Sequence, residues 1–421
     1  MLAGGSLYSD DQAWSWQDLW RLADSVNQKL RQPVQAGEKI LLRPESHLDG
    51  FIKLILCIQN QAIAIIDEKR ICPETDARSL KIPQSWLIPS NQVEESVDIS
   101  EKIKAITSHD ELGVVVYTSG STGKPKPINK SWRGLVRETQ VLQQLYELSE
   151  ENQSIVSLVS PFHIYGLLNA FLLPMCCGSN IFFPKREPIN QQSVLPESID
   201  LLVTVPAIWS LVKHYCEHRD IKRFVTSGAA FGEKRQNDLI AFPSKPNLCF
   251  EVLGSSETGG IAWRNLVIDS DFHLLSSVTL KLEEQTQISS DFIFPRHQIL
   301  TITDRFEETA EKRYRYLGRS DRIFKLSGRR FSLGEVERKL ATFFPDSEIY
   351  CQFFMDENLP QGGTLIGFVE GEFSKEQMQV SLAQFRQRFP NMASPKALLS
   401  EKSFPRDENG KIQSWKLKFC L

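Results

Sequence analysis

The sequence predicts an α/β protein, with a large N-terminal domain of layered α/β sheets over residues 1–320 and a smaller α+β C-terminal domain over 321–421. Three observations carry this. Apolar, β-branched runs alternate with amphipathic helical patterns up to about Asn265. Many of those runs end in Pro, Ser or Gly and lead directly into helical segments, as in sheets joined by helical crossovers. Beyond Asp321, two capped helical patterns flank two strand-like runs, enough for a compact unit of its own.

Taken in order, Ser15 with Asp18 three residues later reads as a capping box, and Leu19, Leu22, Val26 and Leu30 give the first helix its apolar face. "EKILLRP" reads as a strand, "LDGFIKLILCIQNQ" as a helix and "AIAIID" as the next strand. The same alternation returns in "SIVSLVSP", "GLLNAFLLPMC", "NIFFP", "DLLVTVPAIWSLVKHYC" and "IKRFVTSGAAF". From about Asn265 to Leu300 the pattern turns β-rich, and "SSVTLKLEE" and "DFIFP" read as strands. In the last hundred or so residues, Ser332 with Glu335 starts a helix carrying Leu333, Val336, Leu340 and Phe344. Ser374 with Gln377 starts another, carrying Met378, Leu382, Phe385 and Phe389, and the strands "IYCQFFM" and "TLIGFVE" lie between the two.

Charge and cysteine usage narrow the function. The 49 basic and 52 acidic residues are spread along the chain for a net charge of −3, which leaves no basic stripe for nucleic acid. The eight cysteines are scattered, with no C-x-x-C and no histidine pair at metal-ligand spacing, so they read as reduced thiols rather than a zinc site or a disulfide framework. The N-terminus lacks the basic-then-apolar layout of a signal peptide, and "FIKLILCI" and "LLNAFLLPMCC" are too short or interrupted to span a bilayer. A cytoplasmic protein without membrane insertion is the expectation.

One stretch raises a chemical question. "YTSGSTGKPKP", Tyr117 to Pro127, follows the apolar run Val114–Val116, and ligands in such sheets bind beyond the carboxyl ends of strands. Thr118, Ser119, Gly120, Ser121, Thr122, Gly123 and Lys126 together offer hydroxyls, close backbone approach and a cation, which a phosphate needs. By composition alone the stretch is equally a flexible turn. It is not a Walker A loop, since Gly123-Lys124 is followed by Pro125, and no kinase catalytic loop is present, so P-loop phosphoryl transfer is disfavoured.

Read as a whole string, "YTSGSTGKPK" resembles the signature of the adenylate-forming superfamily of AMP-binding enzymes: acyl-CoA synthetases, adenylation domains and luciferases. Further stretches resemble that family's motifs in the family's order. They are "PFHIYG" with His163, "SGAAF" with Gly228 and Ala229, "LGSSETGG" with Gly254, Ser255, Ser256 and Glu257, "LTITD" with Asp304, "GRSDRIFKLSGRRFSLGEVE", and "FPRDENGKIQ" with Lys411. The resemblance implies that the loop after Tyr117 holds the β- and γ-phosphates of ATP and that Glu257 holds Mg²⁺. It implies that His163 borders the acyl pocket, Gly228 and Ala229 line the nucleotide and acyl pockets, and Asp304 and Arg319 bind ribose. Lys411 would act as the catalytic lysine of adenylation, and Gly328 and Arg330 would lie in the loop brought up for the thiol step. The C-terminal domain would be mobile, rotating about Asp321 between half-reactions. Taken alone, His163 and Lys411 read as ordinary structural or solvated side chains and Glu257 as a solvated acid; only the ordered set points to a site.

The implied activity is that of a compact acyl-CoA synthetase, using ATP, Mg²⁺ and either CoA or the phosphopantetheine thiol of an acyl carrier protein. The alternatives are a freestanding adenylation enzyme for an aryl or amino acid, an o-succinylbenzoate-type CoA ligase, and a non-catalytic binder of nucleotide or acyl ligand. Leu253 stands where the family motif carries an aromatic residue that packs on adenine, and Thr303 where it carries glycine. The N-terminal region and the segment Gly260 to Asp304 are shorter than in most members, which leaves the acid unspecified.

Overall fold

The computed structural model describes residues 5–9, 12–67, 72, 76–87, 97–119, 125–148, 152–184, 195–229, 231–242, 246, 248–326, 329–355, 359, 363–406, 412 and 417, with the backbone alone for Ser9, Thr118, Ser119, Ser210, Glu233, Lys234, Asp321, Lys325 and Arg330. The chain forms two compact units. The first comprises Met1–Ala230, Leu239–Thr279 and Ile288–Leu300, and the second Phe231–Asp238, Leu280–Gln287 and Thr301–Leu421.

In the first unit a short hairpin, β1 (Ser6–Ser9) and β2 (Gln12–Ser15), leads into helix α1 (Trp16–Lys29). Ser15 caps that helix, its hydroxyl accepting the Asp18 N–H at 3.0 Å, and Leu19, Leu22 and Val26 form the buried face. Next come β3 (Lys39–Leu42), α2 (His47–Gln59), β4 (Ile63–Ile66), β5 (Arg78–Ser79), α3 (Ile99–Ile106), β6 (Leu112–Ser119) and β7 (Pro125–Ser131). The strands make a five-stranded sheet in the order β5-β3-β4-β6-β7, parallel except for β7, which folds back on β6 as a hairpin. Helix α2 is buried from Asp49 to Ile58 and is mostly apolar, as a helix buried all round is. The charges it buries, Asp49 and Lys53, neutralise each other one turn apart at 2.8 Å.

Helix α4 (Trp132–Leu145) follows β7 and is capped by Ser131, whose hydroxyl accepts the Gly134 N–H at 3.1 Å and donates to Asp110 at 2.6 Å. The larger sheet is built from β1, β2, β8 (Ser154–Ser157), β9 (Asn180–Phe182), β10 (Leu201–Thr204), β11 (Arg223–Ser227), β12 (Leu248–Ser255), β13 (Gly259–Asn265) and β14 (Phe272–Leu274). Helix α5 (Trp209–His218) links β10 to β11. Within this unit the order is β2-β1-β9-β8-β10-β11-β12-β13-β14, and β9, β8, β10, β11 and β12 run parallel. Strands covered on both faces read as continuous apolar runs, and Leu201, Leu202 and Val203 are accordingly fully buried. Between β8 and β9 the helical pattern of "GLLNAFLLPMC" is realised, with a π-helical register over Leu167–Leu172.

One expected strand is absent. "DFIFP", Asp291 to Pro295, forms consecutive turns rather than a strand. Pro295 has no N–H to give to a ladder, and the Ser290 hydroxyl accepts the Phe292 N–H at 3.2 Å, favouring a local turn over cross-strand pairing. Phe292 and Ile293 are buried all the same, so their apolar character reflects burial of a turn.

The second unit contains the hairpins β15 (Asp304–Ala310) with β16 (Arg313–Arg319) and β17 (Ile323–Leu326) with β18 (Arg329–Ser332). These are followed by α6 (Leu333–Ala341), β19 (Ile349–Met355), β20 (Gly363–Glu370), α7 (Lys375–Arg388) and β21 (Ala397–Glu401). The last three strands form a sheet in the order β19-β20-β21, in which α7 is the crossover between the parallel pair β20 and β21. Val336, Leu340 and Phe344 pack with Met378, Leu382 and Phe385 in one core cluster, the faces read from the helical spacing. Among the described residues no helix is long and apolar enough to cross a membrane.

Candidate active site

Because β8, β10, β11 and β12 are parallel, their carboxyl ends lie along one edge of the larger sheet. Site residues expected in the first unit follow these ends. His163 lies beyond β8, at the start of the helical segment, and is partly buried. Gly228 and Ala229 follow β11; Gly228 has φ +87°, a left-handed conformation that favours glycine. Beside it, the Ser227 hydroxyl donates to the Val252 carbonyl of β12 at 2.7 Å, tying the two strand ends together.

The next turn joins β12 to β13. Ser255 pairs with Gly259 across it, leaving Ser256, Glu257 and Thr258 at the tip. Two hydroxyls brace this tip: the Ser255 N–H donates to Thr258 Oγ1 and the Thr258 N–H donates to Ser255 Oγ, each at 3.2 Å. The consequence is a defined turn from which the Glu257 side chain projects.

From the smaller sheet comes the second component. In the β6–β7 hairpin Thr118 lies opposite Lys126 and Ser119 opposite Pro125, so the two strands stay paired to these ends. Gly120, Ser121, Thr122 and Gly123 lie outside the described residues, and only the backbone of Thr118 and Ser119 is described. Lys126 reaches across to the other sheet, its Nζ 3.5 Å from Glu257 Oε1, with the two side chains 62% and 41% exposed. At that exposure the ion pair contributes little stability, so what matters is that it brings a cation and an acid together in an accessible position.

The sequence reading missed the groups beneath this pair. Lys130, four residues along β7, is fully buried, and its Nζ donates to the Glu257 carbonyl at 3.0 Å and the Phe292 carbonyl at 3.4 Å. Glu138 on α4 is also buried, and its Oε1 accepts the Gly260 N–H at 2.6 Å. Burial lowers the Lys130 ammonium pKa and raises that of the Glu138 carboxyl, each partly offset by the charge of the other. The signal that could have found them is periodicity: Lys126, Ile128 and Lys130 share one face of a strand, and Glu138 falls on the same helix stripe as Leu135 and Leu142.

In the second unit Asp304 and Arg319 face one another across the β15–β16 hairpin, and the Tyr316 hydroxyl donates to Asp304 Oδ1 at 2.8 Å. The backbone of Arg330 pairs with Lys325 between β17 and β18, while Gly328 lies outside the described residues. So does Lys411; Arg406 and Ile412 form an isolated antiparallel bridge. Arg406 is held by Glu370 at 2.6 Å and Glu348 at 3.2 Å.

The expectation that no histidine pair sits at metal-ligand spacing is corrected. On α5, His214, Glu217 and His218 gather one ligand atom each within 4.8 Å, because residues three and four apart share a helix face. They lie at the end of α5 remote from the carboxyl edge, and are separate from Glu257.

Comparison with known proteins bears on the family and the fold. The family model described as AMP-binding enzyme matches residues 48–288, a span that includes the β6–β7 and β12–β13 hairpins. A 4-coumarate–CoA ligase of Halorhodospira halophila is 27% identical over 245 residues, covering 58% of this chain and 60% of that enzyme. The match thus spans less than two thirds of that ligase. Tyrocidine synthase 3 of Brevibacillus parabrevis is 22% identical over 360 residues, 74% of this chain and 5% of that much longer protein. Two solved structures share the fold. The anthranilate CoA ligase AuaEII in complex with anthranoyl-AMP has a TM-score of 0.77 at 16% identity, covering 98% of this chain and 93% of that one. The o-succinylbenzoate coenzyme A synthetase of Bacillus subtilis in complex with AMP has a TM-score of 0.75 at 14% identity, covering 99% and 96%. With the motifs in order, the two hairpins joined at Lys126 and Glu257, and a family model matching more than half its length, the chain belongs to the AMP-binding enzyme family.

Proposed function

We propose that this protein is an AMP-forming acid–thiol ligase. It activates a carboxylic acid with ATP to an acyl-adenylate and transfers the acyl group to the thiol of CoA or of a carrier-protein pantetheine. The observation that carries this reading is the approach of Lys126 and Glu257 from two different sheets at the carboxyl edge. The naming of one relative as a 4-coumarate–CoA ligase and of another as tyrocidine synthase 3 supports it.

The chemistry follows from charge. When a carboxylate oxygen attacks the α-phosphorus, the bond to pyrophosphate breaks and negative charge gathers on the phosphoryl oxygens and the leaving group. Catalysis is then positioning plus cationic stabilisation, and no side-chain nucleophile is needed. The loop Thr118–Lys126 holds the β- and γ-phosphates, and Gly228, Ala229 and Gly254–Ser256 line the nucleotide and acyl pockets. The accessible carboxylate of Glu257 suits a hard divalent cation whose remaining ligands are phosphate oxygens and water, and Mg²⁺ bound there would neutralise phosphate charge. His163 borders the acid, Asp304 and Arg319 bind the ribose hydroxyls, and Lys411 neutralises the reacting carboxylate and α-phosphate. In the second half-reaction the thiol sulfur bonds to the acyl carbon and AMP leaves. The C-terminal domain rotates about Asp321 between the two steps, withdrawing Lys411 and presenting Gly328 and Arg330.

The test is acid-dependent exchange of labelled pyrophosphate into ATP across fatty, aryl and amino acids, followed by thiol transfer to CoA and to a carrier protein. Exchange with at least one carboxylic acid, then thioester formation, is the expected result. Exchange with none of them would favour a non-catalytic binder.

A further inference from the structure

The turn that carries Glu257 is gripped from below at both ends, and the grip is made of buried ionisable groups. Lys130 donates to the carbonyl of Glu257 itself at 3.0 Å, and Glu138 accepts the N–H of Gly260 at 2.6 Å. Its second oxygen, Glu138 Oε2, is also buried and has no hydrogen-bond partner among the described residues. A Cβ on Gly259 would lie 2.5 Å from that oxygen, and Gly259 has φ +74°, so the turn is moulded around the glutamate. Both groups come from the segment that also carries Lys126, since β7 leads straight into α4.

Such a pair is costly. Removing an ammonium and a carboxyl from water carries a desolvation penalty that apolar residues of similar size would avoid, so stability alone does not account for it. Position does: the two hydrogen bonds fix a backbone carbonyl and a backbone N–H three residues apart, and the first of these residues, Glu257, whose side chain faces Lys126, is the proposed cation ligand. We propose that Lys130 and Glu138 are positioning residues that hold the Glu257–Gly260 turn, so that the Glu257 carboxylate is presented to a divalent cation and the phosphates it accompanies. This rests on the functional reading above and extends it to residues that no family motif covers.

The experiment uses the full chain and Mn²⁺ as probe, with free Mn²⁺ read by its electron paramagnetic resonance signal during titration with ATP and protein. Variants Lys130→Met, Glu138→Leu and Glu138→Gln are compared with wild type, with a thermal melt of each. Lys130→Met and Glu138→Leu should weaken Mn²⁺·ATP binding by about 10- to 100-fold, the range for losing an outer-shell partner of a metal ligand. Glu138→Gln keeps an oxygen for the Gly260 N–H and should restore most of the affinity lost in Glu138→Leu. A merely structural role would lower the melting temperature and leave the affinity of the folded protein unchanged, which would overturn the proposal. If Lys130→Met does not fold, the Glu138 pair decides: equal affinity in the leucine and glutamine variants also overturns it. Wild-type protein that bound no Mn²⁺·ATP and gave no pyrophosphate exchange would instead refute the functional reading, and so separates the two failures.

Discussion

At Gly259 two requirements coincide: a φ of +74°, which side chains rarely adopt, and a carboxylate oxygen 2.5 Å from where a Cβ would stand. Gly259→Ala is therefore expected to destabilise the first unit by about 1–3 kcal/mol through backbone strain, with the displaced Glu138 adding to it. A urea titration of variant and wild type measures this directly; an unchanged midpoint would mean the turn relaxes without cost. Glycine at this position was legible, because it stands in the quoted motif "LGSSETGG". Glu138 and Lys130 were not, because in "INKSWRGLVRETQ" they look like any other solvated charges. Strand and helix periodicity marks the faces they share with apolar residues, but their partners lie on a turn more than a hundred residues away, which that periodicity does not identify.

At the level of elements, capping chemistry transferred from sequence to structure well. Ser15, Ser332 and Ser374 each cap the helix expected of them, and Ser374 with Gln377 forms the reciprocal capping box at the start of α7. Since α7 is the crossover of the C-terminal sheet, Ser374→Ala should cost about 1 kcal/mol, and Ser374→Asp, which keeps an acceptor, much less. Chemical denaturation of the three proteins checks the order. Apolarity was a less faithful guide, because it reports burial and not backbone conformation. "DFIFP" is buried as turns, and "GLLNAFLLPMC" contains a π-helical stretch that an ordinary helical pattern does not distinguish. Both lie in segments where local hydrogen bonding or packing overrides the period of the side chains.

For the molecule as a whole, the Ser/Thr/Gly loop directly after the apolar run Val114–Val116 already implied a site at the carboxyl ends of strands, and the strand order of the larger sheet explains why motifs far apart in the chain share an edge. What it did not reveal was that two separately hydrogen-bonded sheets each contribute one hairpin. The proposed division of labour between the domains gives a sharp test: Lys411→Ala should lower acid-dependent pyrophosphate exchange by about 10²–10³-fold, the scale of losing one charge-stabilising contact in a transition state. Thiol transfer from supplied acyl-adenylate should survive largely intact, and equal loss of both half-reactions would rule that division out.

The approach of Lys126 and Glu257 also couples binding to stability. Each belongs to a different sheet, so a ligand that engages both spans a seam that, among the described residues, no strand pairing crosses. Affinity for such a ligand becomes a gauge of how firmly the two sheets stay docked. Conversely, a nucleotide bound to both as proposed would act as a removable cross-link: it would favour the docked arrangement by mass action and so protect the first unit from opening along that seam. Substitutions that loosen the seam, even far from either hairpin, would therefore be felt first as weaker nucleotide binding and only later as unfolding.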